Sequence, residues 1–380
     1  MSAPPLRIED GAVLVYRLFD VADAVDLPAA ERAVAAATGG VDGARARLRL
    51  EGSQSATAVE LPRPPVQVAL GPREVPLDSG PRHAEASARI YDYGVVSIRY
   101  RIPIAPGTAV ADLVPLAEEL FVDPTPALDA ESRREAEELA RVLAPALEKA
   151  HAWDGLESYQ VFLVRKLEGG PWTADAVAEQ APIAELLLGE TSATPLSAAE
   201  RTDVLSHRHG YFVDDLAIVH WNSAFVWEPS GVEDIPDLLE FATAQLLELR
   251  FYDALLDREL HDIYDEIERR GGPVKAIFTR RYRALQRRTA TLLLELSEMV
   301  ERLENAVKIV GDFYLARVYQ TAVRRFRLGA WQETVLRKQR MLADVNDLIG
   351  DAADTNRSEL MELAIILLIL FEIVAAFGGR

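Results

Sequence analysis

Up to Pro229 the apolar and polar positions change rhythm repeatedly, whereas beyond it they settle into long helical repeats. Runs rich in β-branched and aromatic residues predict strands at Ala12–Phe19, Ala46–Glu51, Val66–Leu70, Ala86–Gly94, Val95–Ile102, Ser158–Leu167, Leu216–Trp221 and Ala224–Trp227. Asp92, Tyr93 and Gly94 mark the bend of a hairpin. Helical periodicity predicts helices at Ala109–Phe121, Ala130–Ala150 and Ala174–Leu188. Strands clustered early with helices interleaved later imply an α+β head over residues 1–229, with a mostly antiparallel sheet covered by helices on one face.

After Pro229 strand signals stop. A helix is expected from about Ile235 to Arg270, where Gly271-Gly272-Pro273 ends it. A second carries Leu285, Leu292, Leu296, Met299, Leu303, Ala306, Val310 and Phe313 at heptad spacing. Leu328-Gly329-Ala330 permits a reversal into a third helix through Val335, Leu342, Val345 and Ile349. Residues 230–360 therefore read as a long antiparallel bundle with a coiled-coil hairpin. Phe251, Tyr252, Leu255, Tyr314 and Tyr319 lie off the main stripe, and this surplus apolar surface predicts a homo-oligomer.

Residues 361–380 form a third segment. Leu363 to Phe377 is apolar throughout, with Ile366 and Leu370 in its middle and a single charge at Glu372. As a helix it would span about 22 Å, short of the roughly 30 Å of a bilayer core. A surface apolar all round must be buried by protein or lipid, and the expectation is a membrane anchor holding the chain at the cytoplasmic face. Met1 to Asp10 lacks the basic and apolar regions of a secretory signal.

Composition narrows the chemistry. Among 380 residues, 60 acidic against 41 basic side chains give a net charge of −19, which argues against wholesale wrapping of nucleic acid. The absence of cysteine excludes disulfides, thiolate zinc sites and cysteine nucleophiles. The basic run Arg280 to Arg288 is expected to neutralise the acidic run Asp253 to Glu268 across the first helical turn. A second group, Arg324, Arg325, Arg327, Arg337, Lys338 and Arg340, has few acids nearby in sequence and is the candidate contact for an anionic partner. It lacks the interleaved aromatics of a single-strand binder.

His207 and His209 would share one face of a strand with Asp214 close by, a weak metal candidate because no third neutral donor follows at a fixed offset. No phosphate-cradling glycine loop, HExxH or GxSxG occurs, so no catalytic residue and no cofactor is assigned. The leading expectation is a membrane-associated, self-associating scaffold or tether. The alternatives are a metal-dependent enzyme around His207 and His209, or an RNA or ribosome adaptor working through the basic group.

Four stretches, Tyr211–Pro229, Asp237–Asp265, Gly329–Ile349 and Glu359–Val374, together resemble the required-for-meiotic-nuclear-division family, and IYDYGVV at Ile90–Val96 resembles its early motif. Ser97-Ile98 departs from the bulky aromatic that follows that motif. The resemblance implies membrane-linked scaffolding and a terminal membrane segment, and it names no catalytic residue.

Overall fold

Every residue from Ala12 to Asp20 is buried. An alternating strand with one wet face cannot do this, so both faces of the sheet are covered at this strand. The computed structural model describes residues 5–37, 63–121, 126–268, 287, 289–294, 296–297 and 313–347. Within it the strand is β1 (Arg7–Asp20), the centre of a sheet that also holds β3 (Val66–Val75), β4 (Arg82–Ile90), β5 (Val95–Pro103), β8 (Glu157–Leu167), β9 (Arg208–His209), β10 (Leu216–Val219) and β11 (Ser223–Trp227). Their order is β3-β4-β5-β1-β8-β11-β10-β9, with β6 (Thr108–Ala109) paired to β1. All pairings are antiparallel except β11 with β8. The architecture is thus α+β: a mixed, mostly antiparallel sheet with helices, followed by long helices.

One face carries the main apolar core. Val13, Val15, Ile98 and Phe162 from the strands cluster with Ala30 and Val34 of α1 (Leu27–Ala37), Ala117 of α2 (Val114–Phe121), Leu128 and Leu139 of α3 (Pro126–Leu143), Val177 of α4 (Ala174–Gln180), Leu186 of α5 (Ile183–Leu188) and Val204 of α6 (Ala198–Leu205). The other face corrects the expectation of helices on one side only. It is covered by the first part of α7 (Asp234–Glu268) and by α8 (Phe313–Arg325), where buried ion pairs stand beside aromatic contacts such as Tyr91 with Phe241. Glu233, Asp237 and Glu240 fall on one helical stripe. Arg89 of β4 meets Asp237 at 2.6 Å and Glu240 at 2.8 Å, with both Arg89 and Glu240 buried. Arg99 and Arg101 of β5 and Arg165 of β8 converge on Glu233 at 3.3, 2.6 and 2.9 Å. Burial pushes the Glu233 carboxyl up, but Arg101 and Arg99 outweigh it and hold the group below its ordinary value.

The hairpin bend at Asp92–Gly94 forms as expected. Its Gly94 has φ 89°, and a Cβ there would lie 1.6 Å from the Ala22 carbonyl oxygen, so no other residue fits. This close approach seats the bend on β2 (Ala22–Val25), which pairs with β7 (Leu147–Ala150) in a second, two-stranded sheet. The helix expected through Ala150 therefore stops at Leu143, because Pro145 cannot continue it and Leu147–Ala150 gains strand partners instead. Pro182 likewise splits the helix expected over Ala174–Leu188 into α4 and α5. Leu216–Trp221 ends as a strand at Val219.

Contacts divide the chain into two units: Met1–Phe251 with Ala306–Gly329, and Tyr252–Asn305 with Ala330–Arg380. In the second, Lys338 joins Asp253 at 2.6 Å and Asp257 at 2.7 Å, Gln339 reaches Ser297 at 3.1 Å, and Leu256, Leu260, Ile263, Leu296 and Leu342 are buried. The break expected at Leu328-Gly329-Ala330 falls earlier, at Phe326-Arg327, where Arg327 takes φ 55° and Gly329 is helical. Phe326 packs its edge on Tyr159, which fixes the position of the turn. The expected strand Ala46–Glu51, the run Arg280–Arg283 with Arg288, most of the heptad seam and Leu363–Phe377 lie outside the described residues. Among the described residues no helix is long and apolar enough to cross a membrane.

Candidate functional site

Several sequence-derived candidates meet on one surface of the first unit, where β9 and the loop after it pack beside α8. His209 Nε2 lies 2.9 Å from Thr321 Oγ1 of α8. Burial lowers its pKa, and Arg317 and Arg324 lower it further, so its imidazole is neutral at pH 7. His207 Nδ1 instead turns to Ser206 Oγ at 2.8 Å, and the side chain of Asp214 is exposed. Among the described residues no group of three His, Asp or Glu side chains is placed to hold a metal.

The loop from Gly210 to Asp215 is the most unusual local structure. Tyr211, Phe212 and Val213 are 60%, 66% and 76% exposed, although their sequence is wholly apolar. The loop is nonetheless fixed. The buried Asp215 carboxylate accepts from the backbone N–H of Tyr211 at 2.7 Å and of Phe212 at 3.0 Å, and the Val213 carbonyl accepts from the Ala174 N–H at 2.9 Å. Beneath it lies a cavity of about 200 Å³, walled by Tyr211, Phe212 and Tyr314 and edged by Asp214 and Glu228. Tyr211 and Tyr314 meet edge to face at 5.6 Å. Phe313, next along α8, is 88% exposed.

The expected basic group divides. Arg325 pairs with Asp203 at 3.2 Å, and Lys338 is held by Asp253 and Asp257, whose hydrogen bonds raise its pKa against the opposing effect of burial. Among the described residues Arg324 reaches Thr321, Arg337 reaches Thr334, and Arg340 the Leu336 carbonyl. Arg324 and Arg327 make no ion pair among the described residues and are exposed, as is Arg317, which lies over the Tyr314 ring at 6.0 Å. Phe251, Tyr252, Tyr314 and Tyr319, expected to offer surplus apolar surface, are buried within the chain. Tyr211, Phe212, Val213 and Phe313 offer it instead.

A second cluster went unrecognised in the sequence. His151, just past β7, places Nε2 2.8 Å from Asp20 and Nδ1 3.4 Å from Asp23. Its ring stacks on Phe251 at 4.4 Å and 4°. Burial alone would lower the His151 pKa, but the two carboxylates raise it to about 9. Burial pushes the Asp20 carboxyl up to about 6, against the hydrogen bond from His151. Between those values the pair is ionised. A cavity of about 450 Å³ adjoins it, lined by Phe19, Arg133 and Trp153 among others. Arg133 lies over the Phe19 ring and spends its N–H groups on the carbonyls of Trp153 and Asp154. The signal lay in residues 131 positions apart, which no local spacing rule joins.

The family described as "Uncharacterized protein MJ0711, N-terminal domain" matches residues 10–234, more than half of the chain, and the chain belongs to that family. It is similar to "Uncharacterized protein MJ0711" of Methanocaldococcus jannaschii, 24% identical over 183 residues that cover 46% of this chain and 53% of the relative. The chain thus spans about half the length of that relative. No solved structure matches the chain. The match corrects the resemblance to the required-for-meiotic-nuclear-division family. Three of the four stretches that carried it, from Asp237 onward, lie beyond the matched residues; two of them, Asp237–Asp265 and Gly329–Ile349, are amphipathic patterns that any long helical hairpin presents, and the third is a plain apolar run.

Proposed function

We propose that this chain is a non-catalytic, self-associating scaffold, built as an α+β head on a long helical bundle and attached to a membrane through Leu363–Phe377. The observation that carries the reading is the fixed apolar loop Tyr211–Val213, with its side chains in solvent and its backbone tied down by Asp215 and Ala174. An ordered apolar protrusion gains nothing for its own fold and supplies a ready contact for a partner. The charges on the same unit are mixed: Asp214 and Glu228 line the cavity under the loop, and Arg317, Arg324 and Arg327 are exposed on α8 and the turn after it. Mixed charge suits a self-complementary, two-fold contact better than a polyanion. The chemistry of the His151 cluster supports the non-catalytic part, because both ring nitrogens face carboxylates and the ring stays protonated at neutral pH, leaving no free base.

Sedimentation of the full chain in mild detergent is expected to give a dimer at micromolar concentration. Replacing Tyr211, Phe212 and Val213 together with serine should give a monomer with an unchanged far-UV spectrum. A wild-type monomer across that range would overturn the reading. The membrane part rests on the apolar run alone. The full chain should fractionate with membranes, and truncation before Leu363 should release a folded soluble species; a full chain wholly soluble without detergent would reject it.

A further inference from the structure

We propose that the cavity beneath the 211–213 loop receives a guanidinium group, and that in the associated form this group is Arg324 or Arg327 of a second copy. The inference rests on the self-association proposed above and adds the chemistry of the contact.

The cavity has the two features that distinguish a guanidinium site from an apolar pocket. Its lining brings three aromatic rings, Tyr211, Phe212 and Tyr314, together with the carboxylates of Asp214 and Glu228, beside aliphatic side chains such as Ile235 and Leu315. Aromatic faces attract cations, and a planar guanidinium can stack on a ring while donating in its plane to a carboxylate. The Tyr314 ring already interacts in this way within its own chain, with the Arg317 guanidinium carbon 6.0 Å from its centroid. The carboxylates have capacity to spare. Asp215 is committed to the loop amides, but Glu228 uses Oε1 on the Ser230 N–H at 3.1 Å and leaves Oε2 open, while Asp214 is exposed and makes no hydrogen bond among the described residues.

The same surface supplies the cation. Phe313, Arg317, Gln320 and Arg324 are exposed along one side of α8, and Arg327 follows at its end. The cavity touches the first turn of this helix, through Tyr314 and Leu315, whereas Arg324 and Arg327 lie at its other end. In a two-fold pair each patch meets the patch that meets it. Antiparallel α8 helices, about 20 Å long each, would bring the arginine end of one copy to the cavity of the other twice over. The apolar side chains of Tyr211, Phe212 and Phe313 lie at the cavity end of α8, so in such a pair they would flank each of the two charged contacts. A chain of net charge −19 resists self-association at long range, so paired cation-to-carboxylate contacts of this kind would also offset that repulsion locally.

The test is a charge exchange on the full chain in mild detergent, read by sedimentation velocity. Asp214→Lys with Glu228→Lys should be monomeric, and so should Arg324→Glu with Arg327→Glu. Mixed in equal amounts, the two variants should form a heterodimer, since each then offers the charge that the other lacks. Recovery on mixing also shows that both variants are folded. If either lysine or glutamate variant fails to fold by far-UV dichroism, the neutral variant Asp214→Asn with Glu228→Gln replaces it and should raise the dimer dissociation constant at least about tenfold. Reversed or neutralised variants that stay dimeric while the serine loop variant is monomeric would overturn the guanidinium contact and leave the scaffold reading standing. A mixture of folded variants that remains monomeric would overturn it equally. A wild-type monomer would remove both.

Discussion

Replacing Arg89 with methionine is expected to lower the stability of the first unit by about 3–5 kcal/mol. Arg89 is buried between Asp237 and Glu240, at 2.6 and 2.8 Å, and Glu240 is fully enclosed. Removing the cation leaves two carboxylates in a site from which water is largely excluded, whereas the lost apolar contact is small because methionine fills much of the same space. The defect should therefore be electrostatic, and two measurements separate it from simple misfolding. Adding Asp237→Asn and Glu240→Gln to Arg89→Met should restore much of the lost stability, since the charges left unpaired are gone. Lowering the pH should also help the single variant. Burial already raises both carboxyl pKa values, and in the variant the opposing guanidinium is absent. The native state then binds protons at a pH where the unfolded chain does not, so stability rises as pH falls toward the ordinary carboxylate range and is lost as pH climbs through the raised values. Urea unfolding of Arg89→Met that matched the wild type at pH 7.5 would reject the account.

The same ion pairs mark where sequence reasoning reached its limit. The strands were legible because their residues alternate or run apolar over short spans, and the bend at Asp92–Gly94 was legible because turn chemistry is local. That α7 lays its first turns on the sheet was not. Its early residues, from Ile235 to Phe251, read as the start of a bundle helix, and what ties them to the sheet is a stripe of acids matched to arginines on β4, β5 and β8. Charged residues on a strand ordinarily signal a wet face, so Arg89, Arg99 and Arg101 alternating with apolar neighbours pointed toward solvent. The available clue was the spacing of Glu233, Asp237 and Glu240, which only acquires meaning once a basic partner face is known. Pro145 is a local signal against a continuous helix through Ala150, and the chain after it becomes β7. The candidate surface was half legible. His209, Asp214, Arg324 and Arg325 stand out by their chemistry, whereas Tyr211, Phe212 and Val213 enter only as part of the Tyr211–Pro229 stretch, although their place between Gly210 and the Asp214-Asp215 pair is the pattern of a loop.

His151 yields the second large effect, and its direction with pH is opposite to that of a paired carboxylate. Asp20 and Asp23 raise the His151 pKa to about 9, above the roughly 6.5 of an unfolded histidine. A raised histidine pKa contributes stability that is fully present below the unfolded value and disappears as pH rises through the folded one, so the relevant window runs from about 6.5 to 9. At pH 7 the contribution is on the order of 2–3 kcal/mol for a shift of this size. Replacing His151 with glutamine should remove it, and the wild-type decline in stability over that window should vanish once Asp20→Asn is added, because a buried Asp20 left without its cation would itself lose stability as pH rises. Asp23 lends the opposite slope at acid pH. Burial pushes its carboxyl up, but hydrogen bonds from His151 and Lys149 hold it below its ordinary value, so its contribution is lost only as pH falls through that lowered value. Because His151 also stacks on Phe251, its loss should loosen α7 there, and hydrogen exchange around Phe251 should quicken in the glutamine variant. Asp20→Asn added to His151→Gln should recover part of the stability at pH 7, since Asp20 is buried and would otherwise stand without its cation. If the wild type and the double variant His151→Gln with Asp20→Asn lose stability in parallel between pH 6.5 and 9, the imidazolium clamp is not what holds β1 to the segment after β7.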